Sequence, residues 1–514
     1  MLTACRPLWR LLFATEGTGF HGWLFALSLF LALLGLNMLL LRLLSPGRTL
    51  RWMLGVLLVL AAGASWFADT YGVVLDSEML RNAAQTNFAE ARDFIGWPLL
   101  VRLLWQAGLP ILLISQARLP LRIWTRSVRE YALGALGGAA LLLVSALPMY
   151  SSYVSFFRNQ HAARYYIAPA NVIVGSVRLA RKTLHRPPPY AKVGEDARRV
   201  RPEGAKPLLM VLVVGETARA ANFSLGGYER DTNPLLRQKG VYYFSDVESC
   251  GTATATSLPC MFSELPREEF KPGVARYRDS VLDILQRAGV AVSWIDNQSG
   301  CKWVCDRVPT EQARAYDPGS CSDGECLDEA LLRVMDRKLP QFARDGLLTL
   351  HAMGSHGPAY YRRVPADRQV FEPVCDTERI NTCSDEKIVN TYDNTIVYTD
   401  YVLAGLIDRL AAAQQRVDTV LLYVSDHGES LGESGLYLHG QPWIVAPRVQ
   451  KQVPMLLWFS ADAPARLGLD TNCLRAGLGT RASHDNLSHT LLGLFDVTTS
   501  VYRAGLDLLR ACRR

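Results

Sequence analysis

Hydrophobic positions are unevenly spread along this chain. Long apolar runs occur at Trp23 to Leu44, Trp52 to Val74, Ile95 to Ile114 and Tyr131 to Tyr150. Each approaches the roughly 20 residues a helix needs to cross a bilayer, so residues 1–150 are expected to form four transmembrane helices. The third run carries Arg102, Gln106 and Pro110, and a lone intramembrane arginine should face protein or water rather than lipid. An aromatic cluster follows (Tyr153, Phe156, Phe157, Tyr165, Tyr166), then Val172 to Leu184 with Arg178, Arg181 and Lys182 interleaved. That pattern fits a helix lying on a membrane surface, or a surface helix of the next domain. With the stiff "RPPPY" at Arg186 to Tyr190 and a polar run to Lys206, residues 151–206 read as interfacial helix and linker.

From residue 207 to 514 the texture changes to α/β. Apolar strand candidates without alternation, Leu208 to Val214, Val290 to Ile295, Leu347 to Leu350, Thr419 to Val424 and Val453 to Phe459, are separated by helical stretches such as Ser280 to Ala288 and Asn394 to Ala413. This is the pattern of a mostly parallel sheet covered on both faces. Ligands of such sheets gather at the carboxyl ends of the strands. Glu216, His351, His356, Asp426 and His427 all fall there.

Composition sharpens the division. The 514 residues are 49% hydrophobic with a net charge of +7, but the arginines cluster beside the apolar runs, where they set topology rather than bind nucleic acid. Three arginines between Arg42 and Arg51 and four between Arg118 and Arg129 place those loops in the cytoplasm. The loop with Asp69, Asp76, Glu78, Glu90 and Asp93 is then outside, together with the α/β domain. Eight of the eleven cysteines form short sequential pairs: Cys250 with Cys260, Cys301 with Cys305, Cys321 with Cys326, and Cys375 with Cys383. None has zinc-knuckle spacing. Disulfides in an oxidising compartment explain them. Cys5, Cys473 and Cys512 stay unassigned.

The candidate chemistry lies in a few loops. "VVGETAR" sets Glu216 after a strand and a glycine, and "VSDHGES" repeats the arrangement with Asp426 and His427; mixed oxygen and nitrogen donors favour zinc over magnesium. In "SCGTATATSLPCMFS" a hydroxyl-rich ring closed by Cys250 and Cys260 offers Thr254 as a nucleophile beside such a metal. His356 and His439, in glycine-flanked loops, could bind a second ion or donate to phosphate, and Lys302 could pair with a phosphate. His484 and Asp485 are assigned a structural role.

In this order, "VVGETAR", "NFSLGGYERDTNP", "SCGTATATSLPCMFS", "GSHGPAYYRR" and "YVSDHGESLGESGLYLHG" resemble the lipid A phosphoethanolamine transferases, including the mobile colistin resistance enzymes. The resemblance implies an α-helical transmembrane domain carrying an alkaline-phosphatase-like, sulfatase-type α/β domain in the periplasm of a Gram-negative bacterium, anchored in the inner membrane. It implies Glu216, Thr254, Asp426 and His427 as ligands of one zinc ion, with Thr254 as nucleophile and room for a second zinc. His356, His439 and Lys302 would hold the phosphoethanolamine group. "MLRNAAQTNFAEA" matches the segment reaching the site from the membrane side and implicates Asn82, Thr86 and Glu90. Such enzymes have five transmembrane helices, and "ACRPLWRLLFATEG" looks like the loop after a first helix; a start codon further upstream or a four-helix membrane domain would account for it.

The implied reaction moves phosphoethanolamine from phosphatidylethanolamine to a lipid A phosphate through phosphorylated Thr254, by a monomer, and confers polymyxin resistance. Competing readings are transfer to a core heptose, a Kdo sugar or a periplasmic glucan, and a membrane-anchored sulfatase or phosphodiesterase. The C/S-x-P-x-R motif of sulfatases does not surround Thr254. A non-catalytic membrane sensor is disfavoured by Glu216, Asp426 and His427.

Overall fold

A computed structural model describes residues 2–44, 50–86, 91, 94–116, 124–184, 188–199, 206–322 and 324–513. They divide into two compact units, Met1–Leu80 with Ile95–Leu179, and Arg81–Phe94 with Ala180–Arg514.

In the helical unit the apolar runs become α1 (Phe20–Leu44), α2 (Leu50–Tyr71), α3 (Trp97–Gln116) and α4 (Trp124–Ala146). Among the described residues, four helices are long and apolar enough to cross a membrane. Helix α3 widens into a π-helical turn at Leu104–Gly108, just before Pro110, whose ring nitrogen cannot donate to the preceding turn. A Cβ on Gly35 of α1 would sit 2.7 Å from the Gly138 carbonyl of α4, and one on Gly138 2.8 Å from the Leu39 nitrogen. Only glycine permits that approach. Arg102 faces protein, as expected: its guanidinium pairs with Asp69 of α2 and lies 3.2 Å from Ser65 Oγ, which is 2.8 Å from Gln106 Oε1. Cys5 is free and buried among Leu8, Leu12 and Phe25. The amphipathic segment forms α5 (Ala170–Leu184).

The α/β unit is built on a seven-stranded sheet of β1 (Leu208–Gly215), β2 (Tyr242–Phe244), β3 (Ala291–Asp296), β4 (Thr310–Gln312), β5 (Gly346–His351), β6 (Asp418–Ser425) and β7 (Met455–Phe459). Its order is β2-β7-β6-β1-β5-β3-β4. Strands β6, β1, β5, β3 and β4 run parallel, while β7 and β2 add an antiparallel edge. Every residue of β1 and β6 is buried, which explains their unbroken apolar sequences. The edge strands β2 and β4 have three residues each and carry no sequence signal of their own.

Two helices matter for the site. Helix α6 (Thr254–Met261) begins at Thr254, after Ala253 in extended conformation. Helix α7 (Asp385–Ala412) starts nine residues before the expected Asn394, capped by Ser384. Its first turns bury Asn390, Thr391, Tyr392 and Asp393.

The four sequential cysteine pairs are all joined as disulfides. Cys250 bonds to Cys260 and Cys301 to Cys305, closing the loops that carry Thr254 and Lys302. Cys321 bonds to Cys326 across a two-stranded ribbon in which these two residues are register partners. Cys375 bonds to Cys383 in the segment just ahead of α7. The sequence left Cys473 and Cys512 unassigned, and the structure joins them in a further disulfide across 39 positions.

Candidate metal centre and nucleophile

Adjacent parallel strands β1 and β6 pair Gly215 with Ser425, so Glu216 and Asp426 leave the sheet side by side. Between them the backbone amides of Thr217 and His427 donate to Asp426 Oδ1, at 3.1 and 2.7 Å. Asp426 Oδ2 is buried and accepts no hydrogen bond. On the other side, Gly354 (φ +54) carries the β5 loop past Glu216, where a Cβ would meet the Glu216 carbonyl at 2.6 Å. Glycine is required there for both the left-handed backbone and the close approach.

Thr254 reaches this pocket from the first turn of α6. Its Oγ is 3.2 Å from both Glu216 carboxylate oxygens and 3.3 Å from His427 Nε2. Ala253 provides no side-chain cap, so the positive end of the helix faces the cluster. His484 ties the loop down: Cys250 N donates to its Nδ1 at 3.0 Å, and its Nε2 donates to the Ser425 carbonyl at 2.9 Å. The residue therefore fastens the ring to the strand end that carries Asp426, in keeping with its expected structural role.

The donors fit a divalent cation. His427 Nδ1 donates to the Gly428 carbonyl at 2.9 Å, which turns Nε2 toward Glu216 Oε1 at 3.3 Å and Asp426 Oδ2 at 3.4 Å. Glu216, Asp426 and His427 each place a ligand atom within 4.8 Å of the others. All three are fully buried, and two carboxylates crowded in low dielectric need a cation between them. The titration behaviour expresses the same excess of negative charge. Burial and the repulsion of Glu216 push Asp426 up to about 7. Burial opposes the His427 imidazolium, yet Asp426 and Glu216 overcome it and raise the group to about 10. Burial alone would raise Glu216, but His427 outweighs it and holds the group well below the usual carboxylate range.

A second group lies beside the first. A small ribbon, Ser430–Leu431 paired with Tyr437–Leu438, folds the chain back. His439 Nδ1 then lies 3.0 Å from Glu429 Oε2, and the His439 ring centroid 4.2 Å from that of His427. The Tyr360 hydroxyl donates to Glu429 Oε1 at 2.7 Å, and burial raises Glu429 to about 8. His427, Glu429 and His439 form a second set of converging donors that shares His427 with the first. His356, with a buried Nδ1 that makes no hydrogen bond, has its ring centroid 6.3 Å from that of His439.

Lys302 sits between the disulfide-bonded Cys301 and Cys305 with Nζ 3.0 Å from Ser299 Oγ and 3.4 Å from the Gln85 carbonyl. Asn82 and Thr86 are joined locally, Thr86 Oγ donating to the Asn82 carbonyl at 2.9 Å, so in this segment Gln85 makes the contact to Lys302. Glu90 lies outside the described residues. Sequence reasoning did not single out Glu429, Tyr360, Gln298 or Ser299. The signal for Glu429 was its place two residues after His427. Gln298 and Ser299 follow the carboxyl end of β3, where the strand-end rule could have found them.

Helices long and apolar enough to cross a membrane, joined to an α/β unit with buried acids and histidines at its strand ends, define a membrane-anchored α/β protein with a candidate metal centre. A family model described as Sulfatase matches residues 209–497, and one described as Phosphoethanolamine transferase EptA/EptB matches residues 33–184. The chain is 44% identical to phosphoethanolamine transferase EptA of Escherichia coli K12 over 89% of its own length and 84% of that protein. It is 38% identical to phosphatidylethanolamine transferase Mcr-1 of Escherichia coli over 92% of its length and 89% of that protein. The structure aligns with the integral membrane lipooligosaccharide phosphoethanolamine transferase A of Neisseria meningitidis at a TM-score of 0.95, 36% identity and coverage of 100% and 97% of the two chains. The chain belongs to the EptA family of phosphoethanolamine transferases.

Proposed function

We propose that this protein transfers phosphoethanolamine from phosphatidylethanolamine to a phosphate of lipid A at the outer face of the inner membrane, through a phosphorylated Thr254, and thereby confers polymyxin resistance. The observation that carries the reading is the Thr254 hydroxyl at the start of α6, within 3.3 Å of Glu216 and of His427 Nε2, which in turn lies 3.4 Å from the Asp426 oxygen that accepts no hydrogen bond. A zinc ion held by Glu216, Asp426, His427 and Thr254 would make the hydroxyl more acidic and neutralise the transferred group. The Glu216 carboxylate, 3.2 Å from Thr254 Oγ, is placed to accept the hydroxyl proton. Thr254 Oγ attacks phosphorus, the bond from phosphorus to the glycerol oxygen breaks, and diacylglycerol leaves with a proton. A lipid A phosphate oxygen then attacks the same phosphorus, and the bond to Thr254 Oγ breaks.

His356, His439 and Glu429 line the side of the pocket suited to the ethanolamine phosphate or to a second zinc. Lys302 offers its charge to the donor phosphate, and Asn82, Thr86 and Glu90 serve as further substrate-binding residues. Residues 1–150 act as the membrane domain, 151–206 as interfacial helix and linker, and 207–514 as the periplasmic catalytic domain of a monomer. The test is Thr254→Ala in the full chain. The variant is expected to keep its fold and its zinc while releasing no diacylglycerol from phosphatidylethanolamine, and lipid A from cells expressing it stays unmodified by mass spectrometry. Diacylglycerol release by that variant would remove Thr254 as nucleophile. Unmodified lipid A with the parent protein would remove the acceptor.

A further inference from the structure

Gln298 lies between two parts of the site that the transfer reaction must coordinate. Its Nε2 is 2.9 Å from Glu216 Oε2, while its Oε1 accepts from the Ser299 amide and is 2.5 Å from Ser299 Oγ. Partner chemistry fixes the orientation of the amide: a carboxylate can only accept, and a backbone N–H can only donate. The Ser299 hydroxyl, in turn, lies 3.0 Å from Lys302 Nζ, which also reaches the Gln85 carbonyl at 3.4 Å. One continuous hydrogen-bonded strap therefore runs from Glu216 through Gln298 and Ser299 to Lys302 and Gln85.

The two oxygens of Glu216 have different surroundings. Oε1 takes the Thr217 hydroxyl at 2.7 Å and lies 3.3 Å from His427 Nε2. Oε2 takes the Gln298 amide. An N–H donor on a ligating carboxylate fixes its rotation and reduces the charge on the oxygen it touches.

We infer that Gln298 is a positioning residue that holds Glu216 in its metal-ligating rotamer and couples that ligand to the Ser299–Lys302 arm that receives the donor phosphate. The inference rests on the proposed role of Glu216 as a metal ligand. The hydrogen bonds of the Gln298 side chain go to Glu216 and Ser299. Its effect is transmitted at one end through the orientation of Glu216 and at the other through the Ser299 hydroxyl, whose proton it accepts so that the Ser299 lone pairs face Lys302.

The experiment uses the full chain in detergent micelles, with zinc chloride titrated against a chelating dye and diacylglycerol release from phosphatidylethanolamine read as kcat and KM. Gln298→Met keeps the length of the side chain and removes all three of its hydrogen bonds. It is expected to weaken zinc binding about tenfold, the scale of losing a partner of a metal ligand, and to lower kcat while raising KM. Ser299→Ala cuts only the outer arm and is expected to raise KM with zinc affinity within about twofold of the parent. Gln298→Asn, too short to span both partners, should follow Gln298→Met and serves if the methionine variant does not fold. Zinc affinity unchanged in Gln298→Met, or lost equally in Ser299→Ala, overturns the inference. A parent protein that binds no zinc overturns the metal reading of Glu216 and the inference with it.

Discussion

Both units hold charge partly or wholly out of water, and they balance it in opposite ways. In the helical unit the Arg102 guanidinium meets the single carboxylate of Asp69, with Ser65 and Gln106 completing the network; one cation faces one anion. In the α/β unit Glu216, Asp426 and Glu429, all fully buried, face the imidazoles of His427 and His439. One oxygen of Asp426 accepts no hydrogen bond. Asp69 Oδ1 likewise accepts none, so the contrast lies in charge: a balanced pair can serve structure alone, whereas an excess of convergent anionic donors calls for a cation. The same residue types thus carry different meanings according to their local charge count.

The strongest way to break that contrast is to remove one anion from the imbalanced cluster. Glu216→Gln keeps the shape of the side chain but takes away the charge and turns one of its two acceptor oxygens into a donor. Transferase turnover should fall by about 10³-fold or more, the scale of losing a preorganised electrostatic group. Zinc should be lost from the purified chain by elemental analysis. A Glu216→Gln protein that keeps stoichiometric zinc would show that the strand-end cluster does not hold the metal.

The balanced pair should respond in stability rather than chemistry. Asp69→Asn leaves the partly buried Arg102 without its counter-charge and should cost about 1–3 kcal/mol. Replacing both with leucine should recover most of the loss, because no unpaired charge remains. Thermal unfolding in detergent measures both variants, and turnover per folded molecule should match the parent. Equal stability of Asp69→Asn and the parent would mean that Arg102 finds another partner.

Much of this organisation was legible in the sequence where a single element carries the signal. The apolar runs gave α1 to α3 within about three residues and α4 within about seven, since length and composition alone specify a bilayer-spanning helix. The unbroken runs of β1 and β6 marked central strands, and the acids just beyond them marked the site. Short spacing likewise sufficed for local disulfides such as Cys321 to Cys326 and Cys375 to Cys383, whose partners lie within one loop. What escaped depends on distant partners. The first nine residues of α7 look polar because Tyr392 and Asp393 are buried by bonds to other loops: the Tyr392 hydroxyl to the Thr217 carbonyl at 2.7 Å, and Asp393 to Asn222 at 2.5 Å. No periodicity reveals that. Cys473 and Cys512 are brought together by the packing of segments 39 positions apart, so spacing could not pair them. The choice of Thr254 among the hydroxyls of its ring needed the family resemblance, and the role of Gln298 as a link needed coordinates.

A third kind of buried group, neither paired nor in excess, gives the smallest and most specific expectation. His484 is fully buried and neutral, with its pKa lowered to about 4 by burial and by the neighbouring His427 charge. Its partners enforce neutrality: Nε2 donates to the Ser425 carbonyl, while Nδ1 accepts the Cys250 amide and has no room for a proton of its own. In the unfolded chain an ordinary histidine takes up a proton near 6.5. A folded value below the unfolded one means that the unfolded state binds more protons across this window. Stability is therefore unaffected above about 6.5 and declines as pH falls from there toward 4, by about 2 kcal/mol at pH 5. Hydrogen exchange of the β1 and β6 amides as a function of pH measures it. In His484→Gln the overall protection should be lower at neutral pH, because the glutamine cannot span Cys250 and Ser425 in the same geometry, but this component of the acid slope should vanish. An unchanged slope would assign the acid sensitivity to other groups and leave His484 as a neutral strut between the Cys250–Cys260 ring and the end of β6.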